Sequence, residues 1–362
     1  VAEQHGKNGQ CGGKSCQNIK IEQMINFTGD VSLTDGYFNV GFGVGNEIIK
    51  GKNPFNGIEK DENDIWIGNF EGVASNVSCN DGYASRVFRI PSDVLSHLSL
   101  FDIYGFANNH AMQHGENAYW QTVDNLLKQG YEVFGTQKQK SILLEYKEQQ
   151  ISITGVSFRL DEFSDNPCYW HNPEYIDIQR EIRNLPNDAY KVLFVHWGNE
   201  YINRPSSAQK KFAHWLVDAG SDLIVGMHPH VLQGYEDYKH ARIYYSLGNF
   251  VFDMPSEACR YGAIACLDFD ENNIPTFSEK YVKIDTKGYP TVVEDLVVPY
   301  HYRFEYLNQI LVKEDNSEPY HREAQQGYLR YRKVNRKLIL KNLVLHPKKM
   351  AGVVFDFIRR KF

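Results

Sequence analysis

Along the chain, short apolar runs stop abruptly on residues that carry oxygen or nitrogen donors, and from residue 64 onward they alternate with segments of helical period. Apolar runs bounded by Gly, Asn or Asp are strand patterns, and strands alternating with amphipathic helices define an α/β domain. Residues 24–28 form the first run and close on Gly29-Asp30, which places Asp30 at a strand's C-terminal tip. Residues 64–70 close on Glu71, residues 102–107 on Asn108-Asn109-His110, and residues 191–195 on His196. Residues 222–226 deliver Met227-His228-Pro229-His230, and the last core strands are expected over 243–247, 250–252 and 263–267.

Two helices stand out between these runs. One presents Trp120, Val123, Leu126 and Leu127 on one face and stops at Gly130. The other opens on a capping box, Ser206 with Gln209, buries Ala208, Phe212, Trp215, Leu216 and Ala219, and ends at Gly220. Residues 31–63 are Gly-rich and aperiodic. Gly41-Phe42-Gly43-Val44-Gly45 lacks the strand-turn-helix context and the glycine spacing of a dinucleotide-binding loop.

This pattern divides the chain into a flexible leader (1–20), a main domain (21–290) and a basic, mainly helical extension (291–362). In the extension Leu329, Val334, Leu338 and Leu345 are spaced for one apolar face. Residues 348–361 set a short apolar core between basic ends, a pattern that fits either an interfacial membrane helix or a terminal helix docked on its own domain.

At 362 residues and 42% apolar composition the chain has ample material for a large core. No run approaches the roughly 18 apolar residues a membrane-spanning helix needs, and the start at Val1 lacks a signal-peptide profile. The expected location is cytoplasmic or peripheral at the inner membrane if the chain is complete, and extracytoplasmic if a leader was removed. Net charge is -6, but residues 321–362 carry 12 Lys and Arg against Glu323 and Asp356, or +10, which leaves -16 for residues 1–320. An acidic body repels nucleic acid and excludes it as a partner, whereas the basic tail suits peripheral contact with anionic lipid. Six scattered cysteines do not make a disulfide scaffold, although Cys11 and Cys16 are close enough for a bridge or half a metal clip.

Chemistry enters with the run endings. In an α/β sheet the strand C-termini gather at one edge, so Asp30, Glu71, Asn109 with His110, His196, and His228 with His230 can converge although far apart in sequence. A single His at a strand end is ordinarily a satisfied, half-buried residue, and His97, His214 and His240 are read so. Five coincident endings are harder to dismiss. Carboxylate, amide oxygen and imidazole together suit Mn, Fe or Zn, and six donors fit one well-filled ion or two ions better than one catalytic zinc.

These residues also carry a resemblance. Gly29-Asp30, Asn69-Phe70-Glu71-Gly72, Ala107-Asn108-Asn109-His110, His196-Trp197-Gly198-Asn199-Glu200, Gly226-Met227-His228-Pro229-His230-Val231 and Tyr245-Ser246-Leu247-Gly248-Asn249-Phe250 follow one another as in the CapA/PgsA family. That family comprises capsule and poly-γ-glutamate biosynthesis proteins, and the resemblance covers roughly residues 22–270. It implies a calcineurin-like metallophosphoesterase fold, a four-layer α/β/β/α sandwich with the metal at the strand tips. Asp30, Glu71, Asn109, His196, His228 and His230 would be ligands to one or two divalent transition-metal ions, and His110 the general acid or phosphate-orienting cation. Asn108, Glu200, Asn249 and Trp197 would support the ligands or meet substrate, with Trp197 and Tyr201 as a candidate sugar platform. Two departures matter: Ser32 stands where the wider superfamily has a His, and Gln113 where relatives carry Asp, with His114 as a substitute or merely a surface histidine.

The implied activity is metal-dependent hydrolysis of a phosphoester, on a phosphorylated glycan, a polyol-phosphate or a lipid-linked intermediate of capsule or surface-polymer assembly. Two alternatives stand beside it: a non-hydrolytic, polymer-binding component of a synthase complex, and metal-dependent amide chemistry on polyglutamate.

Overall fold

The computed structural model describes residues 23–37, 39–311 and 317–361; the leader and its Cys11–Cys16 pair lie outside the described residues. The first half of the chain supplies strands β1 Ile25–Val31, β2 Ile65–Phe70, β3 Val73–Ala74, β4 Arg89–Ile90, β5 Ile103–Gly105, β6 Glu132–Phe134, β7 Ser141–Tyr146 and β8 Gln149–Ser157. The second half supplies β9 Tyr190–His196, β10 Leu223–Met227, β11 Tyr235–Tyr238, β12 Ala241–Tyr244, β13 Asn249–Val251, β14 Tyr261–Phe269, β15 Pro275–Ile284 and β16 Pro290–Val293. The α-helices are α1 Val44–Ile49, α2 Glu116–Lys128, α3 Tyr175–Asn184, α4 Ser207–Asp218, α5 Phe304–Leu311, α6 Ser317–Leu345 and α7 Pro347–Lys361.

Two sheets form. One runs β16-β15-β14-β1-β2-β5-β6, with β13 also pairing β1, and is parallel from β1 through β6. The other runs β11-β12-β10-β9-β8-β7 and is parallel through β12, β10, β9 and β8. Alternate side chains decide how they stack. Ile25, Phe27, Ile67 and Ile103 of the first sheet meet Ile153, Val192, Phe194, Val225 and Met227 of the second in one core. The opposite set in the first sheet, Val31, Trp66, Phe70 and Tyr104, packs on Tyr119, Val123 and Leu126 of α2. In the second sheet Leu193, Val195 and Ile224 pack on Ile178 and Ile182 of α3 and on Ala213, Leu216 and Val217 of α4. Strands buried on both faces read as continuous apolar runs, which is why they are visible in the sequence. The result is the expected α/β/β/α order of layers.

The helix faces need correction. On α2 the buried stripe is Ala118, Tyr119, Thr122, Val123 and Leu126, while Leu127 is 49% exposed, one helical step off the i, i+4, i+7 line. On α4 Ser206 caps the helix, its Oγ accepting from Gln209 N at 3.1 Å, but the Gln209 side chain returns no bond to Ser206 and lies against Gly198. Phe212 and Trp215 are only half-buried, Trp215 lying against Tyr175 of α3 at 4.4 Å, and Ala208 is exposed.

Core packing continues past residue 290, since Phe304, Leu307 and Ile310 of α5 enter the layer between the sheets. Beyond it α6 docks on the body through a face that takes in only part of the expected one, Val334 and Leu338 being half-buried. Tyr320, Gly327, Asn335 and Asn342 are buried, whereas Leu329 and Leu345 are 53% and 57% exposed. Close approach explains the shift: Tyr331 stacks on Tyr201 at 4.1 Å between ring centres, and a Cβ at Gly327 would lie 2.3 Å from the Tyr201 carbonyl oxygen.

Candidate metal centre

Every run ending singled out in the sequence lands at one end of the two-sheet stack, although from two sheets and not the rim of one. Asp30, Glu71 and Asn109 come from the tips of β1 and β2 and the loop after β5. His196 closes β9, and His228 and His230 follow β10 in the facing sheet. The parallel pairing of β9 with β10 sets Met227 beside His196, so the two histidine tips arrive together. Both His228 (φ 96°) and His230 (φ 57°) hold positive φ, a strained backbone for a bulky residue, and this turn brings the His228 ring to His196 and the His230 ring to Asp30.

The distances describe a tight cluster. Asp30 Oδ2 lies 3.3 Å from His230 Nδ1 and accepts the His228 backbone N–H at 3.2 Å. His196 Nε2 sits 2.7 Å from Asn109 Oδ1 and 3.1 Å from His228 Nδ1. Glu71 Oε1 stands 3.7 Å from His230 Nε2 and 3.8 Å from His110 Nε2. Donor atoms of Asp30, Glu71 and His230 all lie within 4.8 Å of one another, and so do those of Glu200, His228 and His230. Glu200 is thus half-buried beside the histidines, not a solvated loop carboxylate.

The donors and charges of the cluster suit a cation. Both oxygens of the fully buried Glu71 and Nε2 of His228 have no hydrogen-bond partner. Leaving a buried carboxylate unpaired is costly, and Glu71 and His228 fall in the two donor triads that share His230, so one or two divalent ions held there would satisfy these atoms with the donor set that transition metals prefer. Burial, and then the negative charge of Asp30, push Glu71 well above the usual carboxylate range. Burial also raises Asp30, but the His230 bond and charge, with His196 and Asn69, carry it below its ordinary value. Burial pulls His230 down, yet Glu71 and Asp30 outweigh it and push it up to about 10. Burial holds His196 down at about 3 and His228 well below normal, both neutral and suited to coordination.

Around the cluster, Asn249 Oδ1 meets His230 Nδ1 at 3.0 Å, from a residue in register with Asp30 on the neighbouring strand. Asn108 donates to Asn69 Oδ1 (3.1 Å) and to the Phe70 carbonyl (2.8 Å). His110 stacks on Phe88 at 3.9 Å and its Nδ1 lies 2.9 Å from Gln113 Oε1, so an amide oxygen orients the ring where relatives carry a carboxylate. His114 is buried, bridging Ser78 Oγ and the Val87 carbonyl, and is neither a surface residue nor a partner of His110. Trp197 is a correction as well: it is buried, donates to the Tyr245 carbonyl at 2.9 Å and cannot serve as a sugar platform. Two residues were not foreseen. Asn69 Nδ2 donates to Asp30 Oδ1 at 2.8 Å and approaches His196 Nδ1 at 3.3 Å; its place one strand over from Asp30 was the available signal. Arg159, just past the tip of β8, had no sequence signal.

A two-sheet α/β protein with donors for a transition metal between its strand tips is thus the class that fold and site define. The family model described as bacterial capsule synthesis protein PGA_cap matches residues 24–254, and the chain belongs to that family. It is 32% identical over 191 residues to the PGA biosynthesis protein CapA of Bacillus subtilis, covering 49% of each chain. It is 60% identical over 63 residues to the capsule biosynthesis protein CapA of Bacillus anthracis, covering 17% of this chain and 15% of that one. The matches thus span about half the length, or less, of these relatives. Among solved structures, a hypothetical protein from Thermus thermophilus aligns at 16% identity and a TM-score of 0.42 over 71% of this chain and 99% of its own. The 5'-nucleotidase of Candida albicans aligns at 12% and 0.41 over 87% and 59%. Scores this low carry no argument about chemistry.

Proposed function

We propose that this chain is a metal-dependent hydrolase that cleaves a phosphoester of a glycan, polyol-phosphate or lipid-linked intermediate during capsule or surface-polymer synthesis. The observation that carries it is the fully buried Glu71 carboxyl group, with neither oxygen hydrogen-bonded, facing His230 in a cluster that also holds the neutral imidazoles of His196 and His228. Asp30, Glu71, Asn109, His196, His228 and His230 would hold one or two Mn, Fe or Zn ions, with Glu200 placed to join them. Such an ion supplies a polarised phosphoryl oxygen and an acidified water.

The chain's own residues do the positioning. Asn69 holds Asp30, Asn249 holds His230, and Asn108 ties the β2 tip to the loop that carries Asn109. Gln113 accepts from His110 Nδ1, which leaves Nε2 turned toward Glu71 and the reacting centre. Burial lowers His110 to about 4, so it stands neutral at pH 7 and acts as a hydrogen-bonding and proton-transfer group, not a resident cation.

Elemental analysis of the purified chain, followed by assay on aryl phosphates and diesters, tests this. Stoichiometric metal and hydrolysis lost in His228→Ala are expected; metal-free protein, or activity indifferent to that change, overturns the reading. The relatives' names favour one second reading, amide chemistry on polyglutamate. Release of glutamate without release of phosphate would select it.

A further inference from the structure

Arg159 lies two residues past the β8 position paired with His196, and Phe158 N donates to the His196 carbonyl at 2.9 Å. Its side chain turns back along the loop that carries the site. Nη1 donates to the Gly198 carbonyl at 2.8 Å. Nε is buried with no hydrogen-bond partner, and among the described residues no carboxylate pairs with this guanidinium. Backbone and side chain are thus both tied to residues 196–198, the segment that carries the candidate ligand His196.

The unused edge is the informative one. Nε and Nη2 form the side of the guanidinium that grips two-oxygen anions. Arg204 shows that edge filled in this same chain, with Nε and Nη2 on Glu323 Oε2 at 2.9 and 2.7 Å. In Arg159 the same edge has no protein acceptor, while Nη1 is tethered so that the plane is fixed. A cation held beside a candidate dication centre, with no protein carboxylate of its own, is repelled unless an anion lies between them.

We propose that Arg159 is the oxyanion-recognition residue of this site, its Nε–Nη2 edge gripping the phosphoryl group of the substrate while the metal centre faces the same group. The assignment rests on the phosphoesterase reading above and names which residue would select the anionic substrate. The tether to Gly198 gives a structural role too, so the test needs a readout that a purely structural role would not move.

Calorimetric titration of the full chain with inorganic phosphate, and separately with tri-γ-glutamate, supplies it, each with and without added Mn and with metal content and melting midpoint measured on the same samples. Arg159→Gln should weaken phosphate binding roughly ten- to a hundredfold, the range of a charged bidentate contact, with metal content and midpoint near wild type. Arg159→Lys, which keeps the charge but not the fork, should recover part of that loss and serves alone if the Gln variant fails to fold. Wild-type affinity in either folded variant overturns the proposal, as does wild-type protein that holds metal and binds no phosphate. Arg159-dependent binding of tri-γ-glutamate without phosphate binding overturns the phosphoryl assignment and favours amide chemistry. Metal-free wild type sinks the hydrolase reading instead, and phosphate binding measured without added metal still judges Arg159 by itself.

Discussion

Glu71 states the residue-scale argument most sharply. Its carboxyl oxygens have no hydrogen-bond partner, and the nearest groups able to carry positive charge, His230 and His110, stand 3.7 and 3.8 Å away, so the fold without metal gains little from its charge. Glu71→Gln should leave the melting midpoint of chelator-treated protein unchanged or slightly raised, while bound metal per chain falls at least tenfold. Calorimetry with and without chelator, beside elemental analysis, checks both halves. Gly29 makes a different prediction, because a Cβ there would lie 1.8 Å from the Gly248 carbonyl oxygen, the acceptor of Asp30 N. Gly29→Ala must push β13 away from β1, costing about 1–3 kcal/mol in a denaturant titration. Asp253 gives a pH dependence. Burial, with Asp35 nearby, raises it to about 6 in the fold. The folded state therefore binds the extra proton, and stability falls as pH rises from the unfolded value near 4 to about 6, by up to about 3 kcal/mol. Asp253→Asn keeps an acceptor for Val44 N and should flatten that decline in melts across the window. At this scale the ligand candidates were legible because each ends an apolar run. Asn69 and Arg159 were not: neither ends a run on a donor-rich motif of its own, and their roles exist only through neighbours on other strands.

Among elements, what the sequence shows is what burial on both faces imposes. β1, β2, β9 and β10 read as unbroken apolar runs because a sheet and a helical layer cover their two sides. β7 and β15 at or near the sheet edges alternate buried and exposed positions, so their runs are broken and went unread. The face of α6 was partly misread for a related reason. Its contact relies on Gly327, Tyr331 and the Glu323–Arg204 pair, which no hydrophobic periodicity announces. Tyr331→Ala should therefore loosen α6 and speed its proteolysis without altering metal content, whereas Leu329→Ala, at an exposed position, should do neither. The α7 helix buries Met350 and Val353 but leaves Val354, Phe355 and Ile358 exposed beside Lys348 and Lys349. The buried side answers to the docked-helix reading, and we propose that the exposed apolar side rests on anionic lipid. Phe355→Asp should abolish sedimentation with anionic liposomes and leave the unfolding free energy within about 0.5 kcal/mol of wild type; unchanged sedimentation would remove the membrane role.

For the whole molecule, the decisive fact is that the candidate ligands come from both sheets. Asp30 and Glu71 stand on one, His196 and His228 on the other, and the apolar layer between the sheets lies just below them. An ion bound there ties the two sheets together at the end where the strands stop, so metal affinity becomes folding stability. The sequence makes the convergence visible but not the clamp, because run endings say which residues lie at a tip and nothing about which sheet holds the tip. A free ion at a thousand times its dissociation constant adds about 4 kcal/mol. In a chain of this size chelation should then lower the melting midpoint by roughly 5–10 °C. The loss should be local in origin. Hydrogen exchange after chelation should quicken first at the tips of β1, β9 and β10 and in residues 227–231, and last in the β14–β15 hairpin, which contributes no candidate ligand. Uniform quickening through both sheets, or a midpoint unmoved by chelator in protein shown to carry metal, would mean the ion sits outside this cluster.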